Sequence, residues 1–87
     1  MPITTGRQQA DAIYLHPDDN LCVAARNLEK GQRLAIAGTE ITLAENVRIG
    51  HKIAVRPIQS GDYVRKYGQI IGQATAGIAP GGWIHSH

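Results

Sequence analysis

Short apolar segments separated by turn-forming residues occupy most of this 87-residue chain. The segments Leu21 to Ala25 and Thr39 to Leu43 alternate between two faces, as strands in a small sheet do. No segment keeps the i, i+3, i+4, i+7 spacing of an amphipathic helix over ten residues. The best helical candidate, Asn20 to Lys30, fits a strand followed by a turn equally well. The pattern predicts many short strands and little helix.

One spacing occurs four times: an apolar residue three positions before a glycine and another three positions after it. The four instances are Leu28-Gly31-Leu34, Val47-Gly50-Ile53, Ile58-Gly61-Val64 and Ile78-Gly81-Ile84. The glycines are 19, 11 and 20 residues apart, which differs from the fixed period of a solenoid. Glycine adopts positive φ without steric cost. We therefore predict one local device used four times, in which the chain makes an apolar contact, turns at the glycine and enters a strand.

The remaining segments complete an all-β domain. Ala12 to His16 has the apolar content of a short strand, and Pro17 to Asn20 has the composition of a turn. Ala37-Gly38 joins two alternating segments and predicts a hairpin. A chain of this length has room for one core. We expect a flexible polar arm over residues 1–11 and a single domain over residues 12–87.

Composition and charge exclude several classes of protein. Nine Lys and Arg face seven Asp and Glu, and the basic residues are scattered. A nucleic-acid-binding protein would cluster them in a stripe with aromatic residues between them. No apolar stretch approaches the 18 residues of a membrane span, and the first residues lack the apolar core of a signal peptide. We expect a cytoplasmic protein without nucleic-acid or membrane partners.

The sequence lacks the short motifs that usually carry catalysis. It has no glycine-rich phosphate loop and no G-x-S-x-G nucleophile elbow. Cys22 lies within an apolar strand pattern, so we predict a small buried hydrophobe rather than a nucleophile. The adjacent Asp18 and Asp19 are expected to shape a turn rather than to share a proton.

Histidines and lysines supply the candidate chemistry. His85 and His87 are spaced i, i+2, so in an extended segment both imidazoles could reach one metal ion. Gly81 and Gly82 before them allow a close approach of the backbone to a partner or ligand. The alternative interpretation of His85 and His87 is a solvated chain terminus.

Five further candidates have equally simple structural explanations. His16 precedes the Pro17 turn and could serve only to bond the backbone. His51 and Lys52 follow a turn glycine and could be ordinary exposed strand residues. Lys66 beside Tyr67 could extend over the aromatic face.

These motifs, taken in order, resemble the N-terminal domain of altronate and galactarate dehydratases. The matching segments are His16 to Asn20, Gly50 to Ala54, Lys66 to Gly72 and Ile78 to His87. The same module resembles the small subunit of sulfolactate sulfo-lyase. The resemblance covers roughly Ala12 to His87 and implies a SAF-type β-clip fold, in agreement with the all-β pattern.

The resemblance also implies a function. It indicates the small subunit or N-terminal module of a lyase that removes water, or sulfite, from a hydroxy acid such as altronate or galactarate. The module would complete an active site carried mainly by a larger catalytic chain, with a divalent metal such as iron shared with that chain. Because the chain stops at His87, it is either a free-standing subunit or part of a longer enzyme. Self-association into a homo-oligomer stays open.

Residue roles follow from these motifs as hypotheses. We assign catalysis to His51 and Lys66, and metal binding to His85 and His87. Substrate binding is assigned to His16, Lys52 and Tyr67. The competing hypothesis is a non-catalytic binding or assembly module on the same fold.

Overall fold

Eight short strands form the protein in the computed structural model, which describes residues 11–14, 16–36 and 38–84. They are β1 (Ala12–Ile13), β2 (Leu21–Ala24), β3 (Arg33–Ile36), β4 (Thr39–Thr42), β5 (Lys52–Ala54), β6 (Tyr63–Lys66), β7 (Gln69–Gln73) and β8 (Trp83–Ile84). A central antiparallel sheet has the order β1-β2-β5-β8, and two hairpins, β3–β4 and β6–β7, form separate two-stranded sheets. The described residues contain no helix, which confirms the all-β prediction.

The central sheet is buried on both faces, and each hairpin covers one of them. Alternation along β2 sends Cys22 and Leu21 into different core clusters. The Cys22 cluster includes Leu34 from β3, whereas the Leu21 cluster includes Val64 from β6. Burial on both faces explains why the strands of this sheet contain so few polar residues.

All four predicted glycine turns are present. The φ angles of Gly31, Gly50, Gly61 and Gly81 are 87°, 86°, 93° and 88°. In each turn, the residue after the glycine donates its N–H to the carbonyl two residues before the glycine, at 2.9–3.1 Å. These are features of a type II turn, whose third residue requires positive φ. The repeated sequence spacing therefore corresponds to one repeated backbone conformation.

The turns work in two reciprocal pairs, which the sequence spacing alone did not reveal. Leu28 bridges Val47, and Ile58 bridges Ile78. Within each pair, the N–H of each turn glycine donates at 2.8 Å to a backbone carbonyl of the other turn. The accepting residue lies four positions before the bridge residue of that other turn. These four bonds are Gly31 to Leu43, Gly50 to Ala24, Gly61 to Ala74 and Gly81 to Ala54. The fold thus contains two similar units, over residues 24–53 and 54–84, each with its own hairpin.

The two units differ by one inserted residue. Gly31 and Gly61 are 30 positions apart, whereas Gly50 and Gly81 are 31 positions apart. The change occurs in β7, where the register shifts between Val64–Gly72 and Arg65–Ile70. Ile71 is the extra residue of this β-bulge, and the first hairpin has no counterpart to it.

Gly81 joins the two units by a close backbone contact. A Cβ placed on Gly81 would overlap the carbonyl of Thr42, and Ala44 donates its N–H to the Gly81 carbonyl at 3.1 Å. The sequence predicts that this glycine permits a close approach to a partner or ligand. The structure shows such an approach within the chain itself.

Of the predicted arm over residues 1–11, only Asp11 is described. Its carbonyl accepts the N–H of Ala25 at 2.9 Å, and its carboxylate lies 3.5 Å from Nε of Arg26. The rest of the arm lies outside the described residues and stays a prediction. No helix long and apolar enough to cross a membrane occurs in the described ranges.

Candidate functional site

The segment His16–Asn20 forms the predicted turn and begins the candidate site. The N–H of Asp19 donates to the His16 carbonyl at 2.9 Å, which closes a four-residue turn with Pro17 in second position. The fixed φ of proline suits that position. The N–H of Asp18 donates to Nδ1 of His16 at 3.0 Å. The turn therefore orients the imidazole through its own backbone.

Asp19 is a buried carboxylate that holds a distant hairpin tip. Asp19 as a whole residue is 2% exposed. Its two oxygens accept the N–H groups of Tyr67 at 2.8 Å and Gly68 at 2.7 Å. A buried carboxylate costs free energy unless its oxygens are hydrogen-bonded, and here both are. Asp19 shapes a turn as expected, but the turn that it stabilises most directly lies between β6 and β7.

The tip that Asp19 holds has an unusual backbone. Tyr67 has a φ of 55° and Gly68 a φ of 77°. Two consecutive positive φ angles are typical of a type I′ hairpin turn, which strongly favours Asn or Gly at both positions. Tyrosine in this conformation carries strain that the surrounding contacts must offset. The two Asp19 hydrogen bonds supply such contacts at the strained position.

Asn20 extends the same attachment along β6. Its Nδ2 donates to the carbonyl of Tyr63 at 2.8 Å, and its Oδ1 accepts the N–H of Arg65 at 2.9 Å. The amide therefore bonds the edge of β6 in the manner of a strand residue. Together, Asp19 and Asn20 attach the whole second hairpin to the turn that precedes β2.

His16, Lys66 and Tyr67 meet at this junction, and we call them the hairpin-tip cluster. The imidazole lies against Gly68, where an added Cβ would come within 2.8 Å of Cδ2 and Nε2 of His16. Nζ of Lys66 lies 5.1 Å from the centroid of the Tyr67 ring, within cation–π range. Three of the predicted site residues are therefore neighbours. The simple structural roles also occur, because His16 bonds the backbone and Lys66 lies over Tyr67.

The hydrogen bonding of His16 defines its neutral form. Because Nδ1 accepts the Asp18 N–H, the neutral ring carries its proton on Nε2. The carboxylate of Asp18 lies 4.0 Å from the same Nδ1 and forms an ion pair only with the protonated ring. The neutral ring thus offers an Nε2 donor beside Gly68.

Arg56, two residues after β5, hydrogen-bonds the His16–Asn20 turn. Its Nη2 lies 2.9 Å from the carbonyl oxygens of both Pro17 and Asp19, and 3.1 Å from the Tyr14 hydroxyl. The Tyr14 hydroxyl in turn donates to the Pro17 carbonyl at 3.1 Å. Sequence reasoning missed Arg56 and Tyr14, because neither belongs to a local motif that points to the turn.

His51 and Lys52 lie away from this cluster. Leu21 pairs with Ala54, whereas Val23 pairs with Lys52 and the N–H of Ala24 bonds the His51 carbonyl. Since Asp19 and Asn20 directly precede Leu21, the turn and His51 are at opposite ends of the paired strands β2 and β5. The structure therefore does not bring His51 and Lys52 together with the hairpin-tip cluster.

His51 instead packs against an aromatic ring. Its centroid is 5.1 Å from that of Trp83, with 43° between the ring planes. Both side chains are half-buried. His51 is thus more than an exposed strand residue, and Trp83 is its aromatic neighbour.

A metal ion does not fit the described residues by themselves. Within residues 11–14, 16–36 and 38–84, no three His, Cys, Asp or Glu side chains are grouped as ligands. His85 and His87, the predicted metal ligands, lie outside the described residues. Cys22 is also unsuitable, because burial raises its thiol pKa from 9.0 to about 12. Its complete burial confirms the prediction of a small core residue.

A cavity of about 420 Å³ lies beside Trp83 but suits an anionic substrate poorly. Its walls are largely apolar and include Val64, Ile78 and Ile84. The one charged residue in its lining is Glu45, which would repel a carboxylate. No member of the hairpin-tip cluster lines this cavity.

Comparison with known proteins gives a consistent result. The model of the altronate/galactarate dehydratase SAF domain matches residues 10–87. Altronate dehydratases of Bacillus subtilis and Escherichia coli are each 40% identical to the chain over 75 residues, covering 86% of this chain. The chain spans about 15% of the length of those two enzymes. The alpha subunit of (2R)-sulfolactate sulfo-lyase from Paracoccus pantotrophus is 36% identical over 47 residues, covering 54% of this chain and 70% of that subunit.

Proposed function

The chain belongs to the altronate/galactarate dehydratase SAF domain family, and from that membership we propose that it is the small module of a hydro-lyase. The module completes an active site carried mainly by a larger catalytic chain. The substrate is a sugar acid such as altronate or galactarate. The small share of the altronate dehydratases that it matches supports the need for a larger partner.

The observation that carries this proposal is the hairpin-tip cluster. Asp19 fixes the tip of the second hairpin, so that His16, Lys66 and Tyr67 share one place on the surface. An ammonium group, an imidazole Nε2–H and a phenol together match the carboxylate and hydroxyl groups of a sugar acid. We assign substrate binding in this module to that cluster.

The reaction is an elimination with a simple electronic requirement. A base removes the proton α to the carboxylate, the β-hydroxyl leaves as water after protonation, and the resulting enol becomes a 2-keto-3-deoxy acid. Negative charge develops on the carboxylate side as the α proton leaves. The Lys66 ammonium stabilises that charge when it contacts the carboxylate. Catalysis by His51 and substrate binding by Lys52 stay hypotheses. These two residues lie at the end of the paired strands β2 and β5 that is opposite to the hairpin-tip cluster.

Metal binding is assigned mainly to the larger chain. The described residues do not provide a ligand set. His85 and His87 are the candidates that this chain contributes.

A second candidate is the small subunit of a sulfolactate sulfo-lyase. The similarity covers 70% of an alpha subunit of that enzyme. The same α-proton removal would then expel sulfite instead of water. The hairpin-tip cluster would bind the sulfolactate carboxylate in the same way.

Reconstitution with the large dehydratase-like chain of the same organism tests the proposal. We expect the mixture to form keto-deoxy acid from altronate or galactarate, and the 87-residue chain alone to be inactive. Release of sulfite from sulfolactate, with no dehydration, would favour the second candidate. Turnover by the chain alone, or no turnover by the mixture with any of the three substrates, contradicts the proposal.

A matched pair of lysine variants separates catalysis from assembly. Lys66→Met is expected to lower kcat/KM about tenfold or more, because a charge-assisted contact with the carboxylate is lost both in binding and in the transition state. Lys30→Met changes an exposed lysine of the first unit and should leave kcat/KM unchanged. Unchanged kinetics in both variants would indicate a non-catalytic assembly module.

A further inference from the structure

The second hairpin concentrates exposed apolar side chains. Tyr63, Tyr67, Ile70 and Ile71 are between 46% and 53% exposed, and we call these four residues the hairpin patch. Among the other described residues, the exposed large hydrophobic side chains are Ile13 and Ile49. Grouped apolar exposure on one small element is typical of an interaction surface, whereas single exposed residues are ordinary.

The first hairpin provides an internal comparison. By register, Arg33 of β3 occupies the place of Tyr63 in β6, and Glu40 of β4 occupies the place of Ile70 in β7. Ile71 is the bulge residue that the first hairpin lacks. A hairpin of this fold is therefore compatible with a polar outer face, so the apolar residues of the second hairpin are not required by the fold.

The charge of the second hairpin indicates the chemistry of its partner. Residues 63–73 include Arg65 and Lys66 and contain no carboxylate. Two copies of the hairpin packed on each other would bring these cations together, which is unfavourable. A partner with an apolar surface bordered by carboxylates would complement the hairpin.

We propose that the hairpin patch docks on the larger catalytic chain, through an apolar surface of that chain bordered by acidic residues. This inference rests on the proposed function, which requires such a chain. The hairpin also carries Lys66 and Tyr67 at its tip. Docking through the hairpin patch would therefore place the hairpin-tip cluster beside the catalytic chain.

The internal comparison supplies the test variant. Tyr63→Arg with Ile70→Glu gives the second hairpin the polar residues that the first hairpin has at these positions. Neither residue belongs to the hairpin-tip cluster. The control is Arg33→Gln with Glu40→Gln, at the equivalent positions of the first hairpin. Circular dichroism and thermal unfolding establish that each variant is folded.

The measurement is the Kd for the purified large dehydratase-like chain of the same organism. We expect the second-hairpin variant to bind at least about tenfold more weakly and the control to bind like the unmodified chain, because buried aromatic and aliphatic anchors dominate interface energies. Equal binding by both variants would overturn the docking inference while leaving the proposed function intact. Failure of the unmodified chain to bind would overturn the proposed function itself.

Sedimentation of the 87-residue chain tests whether a second copy of the chain covers the hairpin patch. We expect both the unmodified chain and the second-hairpin variant to sediment as monomers at micromolar concentration. A dimer that the Tyr63→Arg, Ile70→Glu variant dissociates would show that a second copy covers the patch, and would overturn the inference.

Discussion

The carboxylate of Asp19 accepts the backbone N–H of Gly68 at 2.7 Å, across 49 residues of sequence. Its other oxygen bonds the N–H of Tyr67. One buried side chain thus connects the turn before β2 to the tip of the second hairpin. The position of the hairpin-tip cluster depends on this connection.

Asp19→Asn should destabilise the chain and loosen the hairpin tip. The amide keeps one acceptor oxygen but presents an NH₂ group to a backbone N–H, which leaves a buried donor unpaired. We expect the free energy of unfolding to fall by about 1–3 kcal/mol, measured by urea denaturation. Asp18→Asn is the control, since the Asp18 side chain is 72% exposed. Equal stability of the two variants would contradict the role of Asp19.

Gly81→Ala should cost more stability than Gly31→Ala. Both glycines have a φ near 87°, so both substitutions introduce backbone strain of about 1 kcal/mol. A Cβ at Gly31 meets open space, whereas a Cβ at Gly81 overlaps the Thr42 carbonyl. We expect an additional cost of about 1–3 kcal/mol for Gly81→Ala from overpacking. Thermal melts of the two variants check this difference, and equal melting temperatures would argue against the close contact.

Tyr67→Asn should maintain or raise stability while lowering activity of the reconstituted enzyme. Asparagine tolerates the positive φ of this position better than tyrosine does. We expect a change between zero and about +1 kcal/mol in the free energy of unfolding. Tyr63→Asn is the control in an ordinary strand conformation, where asparagine is unfavourable. If Tyr67→Asn loses as much stability as Tyr63→Asn does, the contacts of the Tyr67 ring contribute more stability than the strained backbone at Tyr67 costs.

Cys22 should be protected from alkylation until the chain unfolds. Burial raises its pKa from 9.0 to about 12, so the reactive thiolate is scarce at pH 8. We expect iodoacetamide to modify the folded chain roughly a hundredfold or more slowly than the urea-unfolded chain.

The same pKa shift predicts a loss of stability at high pH. The folded state holds the Cys22 thiol proton more tightly than the unfolded state does. The stability that this proton contributes is therefore complete below pH 9 and decreases as the pH rises towards 12. Cys22→Ala lacks this contribution and should lose less stability over that range. An identical pH dependence of the two proteins would contradict the assignment.

His85→Ala and His87→Ala should each lower turnover and bound metal in the reconstituted enzyme. Their i, i+2 spacing would place both imidazoles on one side of an extended segment. Metal content by atomic absorption and kcat are the two measurements. Lys30→Met serves as the control, since Lys30 is an exposed residue of the first unit with no assigned role. If both terminal variants keep normal turnover and metal content, the histidines are a solvated tail.

Local features of the fold were predictable from sequence because they depend on neighbouring residues. The four glycine turns need a residue that tolerates positive φ. Whether a residue tolerates positive φ depends on its own side chain. The burial of Cys22 follows from its place in an apolar strand. His16, Lys66 and Tyr67 were singled out as candidates from motifs, but the motifs did not predict that they lie together.

The tertiary structure alone decided which distant segments meet. Nothing local distinguishes Asp19 from Asp18, yet Asp19 is buried on the hairpin tip and Asp18 is exposed. The pairing of the glycine turns and the separation of His51 from the hairpin-tip cluster likewise depend on strand register. By itself, then, the sequence determined the strands, the turns and the family, because these follow from local conformation and residue identity. Only the tertiary structure determined which candidate site residues lie together, because hydrogen bonds between residues more than 40 positions apart hold the second hairpin in place.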